Sequence, residues 1–215
     1  MNWIQTENYL DLIARRGMKP GLERMRRIMR LIGHPEKCFR SVHAAGTNGK
    51  GSVCAMIENI ARQSGIRTGF YTSPHLVDLT ERITVNGRRI SKNDLSRWVT
   101  RIRRAAGEME PDITYFEVIT AAAFGYFAER GVELAVVETG MGGRLDATNV
   151  LPSPEVCVIT SIGLDHTAHL GRTIDKITGE KAGIIKKNSI CVIGAHQSSL
   201  NVIRKACRKA GAKLR

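Results

Sequence analysis

A ten-residue segment, residues 43–52, constrains the fold of this chain more than any other part of it. The segment reads His-Ala-Ala-Gly-Thr-Asn-Gly-Lys-Gly-Ser and joins an apolar run, residues 39–45, to a helical pattern that begins at Val53. Its three glycines permit backbone torsions and a close approach that a Cβ would block, so successive N–H groups can converge on one anion. A strand, a glycine-rich turn and a helix N-terminus in this order predict a phosphate-binding loop.

Within this loop, Lys50 adds a full positive charge, and Ser52 or Ser73 could supply a hydroxyl to a magnesium ion shared with the phosphates. The general template G-x-x-x-x-G-K-[ST] is not met, because residue 44 is alanine and Lys50 is followed by Gly51. An ordinary glycine-rich turn is the alternative, although a lysine between two glycines at such a junction has few structural uses. The predicted nucleotide-binding residues are Gly46, Thr47, Asn48, Gly49, Lys50, Gly51 and Ser52.

Short apolar runs alternate with helical patterns along the rest of the chain. After the first strand, further strands are predicted at 68–72, 134–138, 156–161 and 190–193, and residues 81–90 alternate around Asn86-Gly87, a strong hairpin signal. Helices are predicted at 6–16, capped by Thr6, and at 22–32, 53–63, 91–106, 114–130, 173–185 and 198–210. Residues 211–215 have the pattern of another strand. This order predicts an α/β fold with a doubly wound, mostly parallel sheet.

The composition is that of one globular domain. The chain has 215 residues, of which 42% are apolar and 25% charged, enough to form a full hydrophobic core. No window approaches the 18 or so consecutive apolar residues of a membrane span, and the N-terminus lacks the layout of a signal peptide. Five scattered cysteines without a C-x-x-C pair indicate neither a disulfide framework nor a zinc site. We expect a cytoplasmic protein.

A net charge of +13 suits polyanionic partners, so nucleic acid must be considered. Most of the basic residues, however, fall on predicted helix faces, as in residues 24–30 and 204–209. Solvated helix surface is the better interpretation, with attraction for anionic ligands as a secondary effect. We expect a monomer that binds neither nucleic acid nor a membrane.

Polar residues follow four of the predicted parallel strands: the Gly46 loop, Ser73, Glu138 and the pair Asp165-His166. Ligands of open parallel sheets bind beyond these carboxyl ends. Glu138 closes an apolar run, and a buried carboxylate is costly unless it meets a cation. A structural salt bridge is possible, but the phosphate loop at the same edge favours magnesium. For His166, the residues leave open whether it is a ligand or a hydrogen-bonded loop residue.

The loop Gly-Thr-Asn-Gly-Lys-Gly-Ser resembles the nucleotide loop of the Mur ligase superfamily, and specifically of the folylpolyglutamate synthase and dihydrofolate synthase family. Further segments resemble the same family in the same order: residues 21–25, 71–76, 114–117, 138–149, 161–167 and 180–183. The resemblance implies a sheet of the Mur ligase central-domain type. The resemblance also implies a whole protein about twice as long as this chain, with two domains. Residues 1–215 are therefore expected to be the single N-terminal ATP-binding domain, without the C-terminal ligase domain.

The resemblance also implies roles for individual residues. Ser73, Glu138 and His166 match positions that bind two Mg²⁺ ions, and Lys181 matches a carbamylated lysine beside the second metal. From the residues alone, Lys181 is only a helical lysine. The segment formed by Thr114, Tyr115, Phe116 and Glu117 matches a contact to the pterin substrate, although core packing at a helix start also explains it.

The function implied is an ATP-dependent ligase that adds L-glutamate to a folate, or to dihydropteroate, through an acyl phosphate. The predicted catalytic residues are Lys50, Glu138, His166 and Lys181, and the predicted cofactors are ATP and two Mg²⁺. The alternative is a noncatalytic Mg-nucleotide-binding fragment that needs a C-terminal domain for activity. A GTPase-like switch is disfavoured, because the sequence contains no Asn-Lys-x-Asp motif.

Overall fold

The structure, a computed structural model, describes residues 1–107, 113–194 and 197–215. The strands are β1 (Arg40–Ala45), β2 (Thr68–Tyr71), β3 (Ile83–Val85), β4 (Arg88–Arg89), β5 (Leu134–Glu138), β6 (Val156–Ile159), β7 (Ile190–Ile193) and β8 (Lys213–Leu214). The helices are α1 (Trp3–Ala14), α2 (Glu23–Leu31), α3 (Lys50–Gln63), α4 (Lys92–Ala106), α5 (Tyr115–Glu129), α6 (Thr167–Leu170), α7 (Ile174–Ala182) and α8 (Gln197–Ala210). Three short 3₁₀ turns cover Pro35–Lys37, Leu79–Arg82 and Ala147–Val150.

The described strands form one sheet in the order β4-β3-β2-β5-β1-β6-β7-β8. Strands β2, β5, β1, β6, β7 and β8 pair in parallel, whereas the β3–β4 hairpin adds to β2 in antiparallel orientation. The predicted doubly wound, mostly parallel sheet is confirmed, as are the hairpin around Asn86-Gly87 and a strand at the end of the chain.

Helices cover both faces of the sheet, as the alternation along each strand requires. On β5, Ala135 and Val137 pack in a cluster with residues of α1, α2, α4 and α5, whereas Leu134 and Val136 pack with residues of α3. A third cluster joins β6 and β7 to α8. Among the described residues, no helix is long and apolar enough to cross a membrane.

The predicted start of the first helix is wrong. Helix α1 begins at Trp3, and its cap is Asn2 rather than Thr6. The Asn2 side chain accepts a hydrogen bond from the Gln5 N–H at 2.9 Å, and Gln5 Oε1 accepts one from the Asn2 N–H at 3.0 Å, which forms a capping box. Thr6 lies inside the helix, where its hydroxyl donates to the Asn2 carbonyl at 2.8 Å. A short helix, α6, also replaces the loop predicted up to His169.

A histidine is completely buried in the central strand β1. The Nε2 atom of His43 lies 2.8 Å from the Thr148 hydroxyl, which in turn donates to Asp146 Oδ1 at 2.5 Å. A threonine hydroxyl has a single proton, so its oxygen accepts the Nε2–H of His43. Burial, reinforced by the charge of Lys186, lowers the pKa of His43 to about 3. His43 is therefore a neutral donor at physiological pH.

This shift predicts that the protein loses stability in mild acid. The ordinary histidine pKa is 6.5, so the unfolded chain takes up a proton below that pH while the folded chain does not. The stabilisation is complete above pH 6.5 and is lost progressively as the pH falls toward 3. At pH 5 the loss from His43 is about 2 kcal/mol.

Urea unfolding at pH 7 and pH 5 should show that, between these two pH values, His43→Gln loses less free energy of unfolding than the parent. The exposed-site control His169→Gln should lose as much as the parent, and equal losses in all three proteins would contradict the assignment.

Candidate active site

The segment between β1 and α3 forms a tight turn into a helix N-terminus. Gly49 takes a left-handed backbone with φ +81° as the cap of α3, which begins at Lys50, three residues earlier than predicted. The Cβ of any other residue at position 46 would overlap the Thr160 hydroxyl. Lys50, Gly51 and the exposed Ser52 form the first turn of α3, whose N–H groups have no helical partner and can bind an anion.

Hydrogen bonds to the segment after β6 hold this loop in place. The Thr47 N–H donates to the Ser161 carbonyl at 2.7 Å, and the Gly163 N–H donates to the Thr47 hydroxyl at 3.0 Å. The Asn48 N–H donates to the Ser161 hydroxyl at 2.9 Å, and the Thr160 hydroxyl donates to the Asn48 carbonyl at 2.7 Å. The loop backbone is therefore fixed before any ligand arrives, as a preorganised anion site requires.

Two lysines converge on one carbonyl of the loop. Lys50 Nζ donates to the Gly46 oxygen at 3.0 Å and to the Thr47 oxygen at 3.3 Å, and Lys181 Nζ donates to the same Gly46 oxygen at 2.8 Å. Lys181 is 2% exposed. Burial, and next the charge of Lys50, lower the pKa of Lys181 to about 8, while Asp165 acts in the opposite direction. The structure thus brings Lys181 to the phosphate loop with part of its population uncharged near neutral pH.

Glu138 lies at the end of β5 next to this loop and is only 4% exposed. Its Oε2 accepts hydrogen bonds from the Thr72 hydroxyl and, at 3.2 Å, from the Ser73 N–H. A Cβ at Gly51 would lie 3.4 Å from the same oxygen, so glycine lets the helix start approach the carboxylate. Among the described residues, no lysine, arginine or histidine forms an ion pair with Glu138. The structural salt bridge considered from the sequence is therefore not observed.

His166 lies apart from these groups, at the start of α6. Its backbone is left-handed with φ +48°, and its side chain is 51% exposed, with Nε2 3.6 Å from Asp165 Oδ2. The described part of the chain shows no contact between His166 and Glu138 and no cluster of three His, Cys, Asp or Glu side chains with metal-binding geometry. The structure therefore gathers Ser73, Glu138 and Lys181 around the loop, whereas His166 faces solvent.

A cavity of about 350 Å³ opens at the same edge of the sheet. Most of its lining comes from the connection between α1 and α2, the start of α5 and the loop after β5, and His169, Leu170 and Glu180 of α6 and α7 complete it. Thr114, Tyr115, Phe116 and Glu117, the residues implied to contact a pterin, all line this cavity. Its volume falls in the range of small-ligand pockets.

The contacts at the start of α5 show which of its residues support the cavity and which form its walls. Glu117 forms a capping box with Thr114 and also accepts from Arg24 Nε at 3.1 and 3.2 Å, so its carboxylate is fully engaged. Phe116 stacks against Gly140, where a Cβ would come within 2.6 Å of the ring. Glu117 thus shapes the cavity, while Phe116 and Tyr115 provide aromatic walls.

The sequence reasoning missed a buried acidic residue of this cavity. Asp146 is 8% exposed and lines the cavity, and burial raises the pKa of its carboxyl group. Its oxygens accept from Thr148 N at 3.0 Å and from Met141 N at 2.9 Å. A single aspartate in a glycine-rich loop directly after β5 was the available signal, but only the three-dimensional structure brings it to the cavity wall.

Comparison with known proteins agrees with this arrangement. Residues 44–215 match the family model described as the Mur ligase middle domain. The chain is 45% identical over 202 residues to the dihydrofolate synthase/folylpolyglutamate synthase of Bacillus subtilis, covering 91% of this chain and 47% of that protein. Among solved structures, E. coli FolC in complex with DHPP and ADP superposes with a TM-score of 0.93 at 34% identity, covering 100% of this chain and 51% of that chain.

A second solved structure, Mycobacterium tuberculosis folylpolyglutamate synthase complexed with ADP, matches with a TM-score of 0.91 at 38% identity, over 99% of this chain and 49% of that chain. The chain thus spans about half the length of the relatives it matches. The family match covers most of the chain, and the fold, the phosphate loop and the cavity agree with it. The chain belongs to the Mur ligase superfamily and, within it, to the folylpolyglutamate synthase and dihydrofolate synthase family.

Proposed function

We propose that this chain is the ATP-binding domain of a ligase that joins L-glutamate to a folate, or to dihydropteroate, through an acyl phosphate. The observation that carries the proposal is the position of a glycine-rich helix start and of a cavity of about 350 Å³ at one edge of the sheet. Structures of relatives complexed with ADP and with DHPP support both ligand classes. In this proposal the protein is monomeric and cytoplasmic.

The reaction makes specific demands on this site. A carboxylate and an amine condense only after the carboxylate gains a leaving group. A carboxylate oxygen of the acceptor attacks the γ-phosphorus of ATP, the bond to the β,γ-bridging oxygen breaks, and ADP leaves with the electron pair. The glutamate amine then displaces inorganic phosphate from the acyl carbon. These steps need positioning and charge neutralisation rather than a protein nucleophile, and the loop N–H groups with Lys50 fit that task.

Magnesium is part of the proposal, and the residues present fit one ion well. Glu138 is a buried carboxylate without a cationic partner among the described residues, and the Ser73 backbone already contacts it. Hard oxygen ligands of this kind suit Mg²⁺, which completes its shell with water and phosphate. Ser73 and Glu138 would hold this ion. The family resemblance assigns a second ion to His166 and a carbamylated Lys181, but among the described residues these two side chains make no contact, so the fit extends to the first ion alone. Bound magnesium would neutralise charge on the phosphates.

Lys181 has the properties that carbamylation requires. A neutral amine attacks carbon dioxide, the N–C bond forms and one proton is released, which leaves a carbamate anion. Because the pKa of Lys181 is lowered to about 8, roughly a tenth of the side chains are uncharged at pH 7. The nearby Lys50 ammonium favours the anionic product over the cation.

A noncatalytic nucleotide-binding role remains the second candidate function, because the relatives extend over about twice this length. Groups that orient adenine, glutamate and the acyl phosphate from an opposite wall would then come from elsewhere. Effective molarity is lost when one wall of a cleft is absent.

Lys50→Ala should weaken binding of Mg-ATP by about tenfold to a hundredfold, since it removes a charge-assisted contact to phosphate. The free energy of unfolding should change by less than about 1 kcal/mol, because Lys50 bonds only to loop carbonyls. Calorimetric titration and urea unfolding separate the two effects, with the exposed Lys209→Ala as a matched control. Unchanged nucleotide affinity in folded Lys50→Ala would refute the loop assignment.

Glu138→Gln retains the volume and removes the charge, so the dependence of nucleotide binding on magnesium should weaken. Titration of nucleotide affinity against Mg²⁺ should require higher metal concentrations in this variant, whereas exposed Glu7→Gln should follow the parent. Overlaying titrations for Glu138→Gln and the parent would exclude Glu138 as a metal ligand.

Carbamylation of Lys181 should be visible by NMR after incubation with ¹³C-labelled bicarbonate. A carbamate resonance is expected in the parent protein and in Lys176→Arg, and its intensity should increase toward pH 8 as the amine is deprotonated. Its persistence in Lys181→Arg would assign the signal to another amine and defeat the proposal.

The 215-residue chain is expected to fold, to bind Mg-nucleotide weakly and not to ligate. Weak binding follows from a loop that contains most of its own anion contacts, and the lack of ligation from the relatives' length, which is about twice that of these 215 residues. The assay measures phosphate release and glutamylated product at high protein concentration, with a folate and with dihydropteroate as acceptors. Robust turnover would show that this chain is a complete active site.

A further inference from the structure

Arg82 is a buried arginine without an anionic partner. It is 8% exposed and lies at the end of the 3₁₀ turn that leads into β3. Its Nε donates to Nδ1 of His75 at 2.9 Å, which makes His75 an acceptor at that atom. Within the described residues, no carboxylate lies at ion-pair distance from Arg82, and its two terminal nitrogens have no acceptor. These terminal nitrogens are not among the fully buried atoms without a partner, so they are accessible to solvent or to a ligand.

Two partly buried arginines of this protein have carboxylate partners. Arg24 pairs with Glu117 at 3.1 Å, and Arg62 pairs with Glu58 at 3.2 Å. Arg82 differs from these two arginines, because among the described residues its only side-chain hydrogen bond is to His75.

The acidic residues nearest to Arg82 in the sequence are committed elsewhere. Asp78 caps the 3₁₀ turn through Thr80 and lies 3.7 Å from Lys92. Glu81 accepts from the N–H groups of residues 76–78 and lies 3.4 Å from Arg89. Both carboxylates are thus bound to other groups, and neither pairs with Arg82.

Arg82 also lies between the two parts of the candidate site. Its carbonyl accepts from the N–H of Thr72, the residue whose hydroxyl contacts Glu138 at the phosphate side. Its guanidinium carbon lies 5.4 Å from the ring centre of Tyr115, which lines the cavity. Arg82 therefore contacts both the strand end next to Glu138, through its carbonyl, and an aromatic wall of the cavity, through its guanidinium.

We infer that Arg82 binds the carboxylate of the acceptor, the group that becomes the acyl phosphate. This inference rests on the proposed function and adds a substrate-binding residue to it. The planar guanidinium offers two terminal nitrogens to two carboxylate oxygens, while His75 and the Tyr115 ring fix its orientation. It holds the attacking oxygen in place toward the γ-phosphorus, and the pterin ring system occupies the cavity.

The experiment compares the affinity of the 215-residue chain for dihydropteroate and for its carboxamide, which lacks the charge but keeps the shape. The parent should bind the acid about tenfold or more tightly than the amide. Arg82→Met should remove this preference and bind the amide as the parent does. Arg89→Met, which removes an exposed arginine of the adjacent hairpin, should keep the full preference.

A preference retained in folded Arg82→Met overturns the inference and leaves the proposed function intact. Equal affinity of the parent for acid and amide also overturns it, without any variant. If Arg82→Met does not fold, Arg82→Lys decides, since lysine keeps the charge but not the planar pair of donors, and an unchanged preference refutes the assignment. Failure of the parent to bind either compound would instead contradict the pterin-binding function itself.

Discussion

The parallel pairing of four central strands is the constraint on which the site depends. The registers of β2 with β5, β5 with β1, and β1 with β6 bring the carboxyl ends of all four strands to one edge. The phosphate loop, Glu138, Ser73 and the segment after β6 follow directly from those ends. A one-residue slip of β5 would turn Glu138 to the other face of the sheet and remove it from the loop. The pairing of the central strands thus determines where the polar residues at their carboxyl ends lie.

Local signals in the sequence were sufficient for the sheet and for most helices. β-branched runs predicted the strands, Ser91 and Thr114 predicted helix starts, and Asn86-Gly87 predicted the hairpin. The error at α1 arose because asparagine at position 2 and threonine at position 6 are both good caps. Only the reciprocal contact with Gln5 decides between them.

The site was predictable only in part, because its contacts join distant positions. Lys181 and Gly46 are separated by 135 residues, and no periodicity predicts that their atoms meet at 2.8 Å. Arg24 and Glu117 are likewise far apart in the sequence, and no local pattern predicts their contact. This contact shows that the carboxylate at the start of α5 has a structural role. Asp146 and Arg82 were missed because burial gives them their character, and burial is a property of the packed chain.

The hydrogen-bonded chain from His43 to Asp146 links the position of the phosphate loop to that of the cavity wall. His43 precedes Gly46 by three residues, about 10 Å along an extended strand. The same strand therefore carries the phosphate loop at its end and, through Thr148, steadies the carboxylate of the cavity wall. Strands in the middle of a sheet are among the least mobile parts of a protein. The spacing between the phosphate loop and the cavity wall is thus set by the rigid strand β1 rather than by two independent loops, so thermal motion displaces both together.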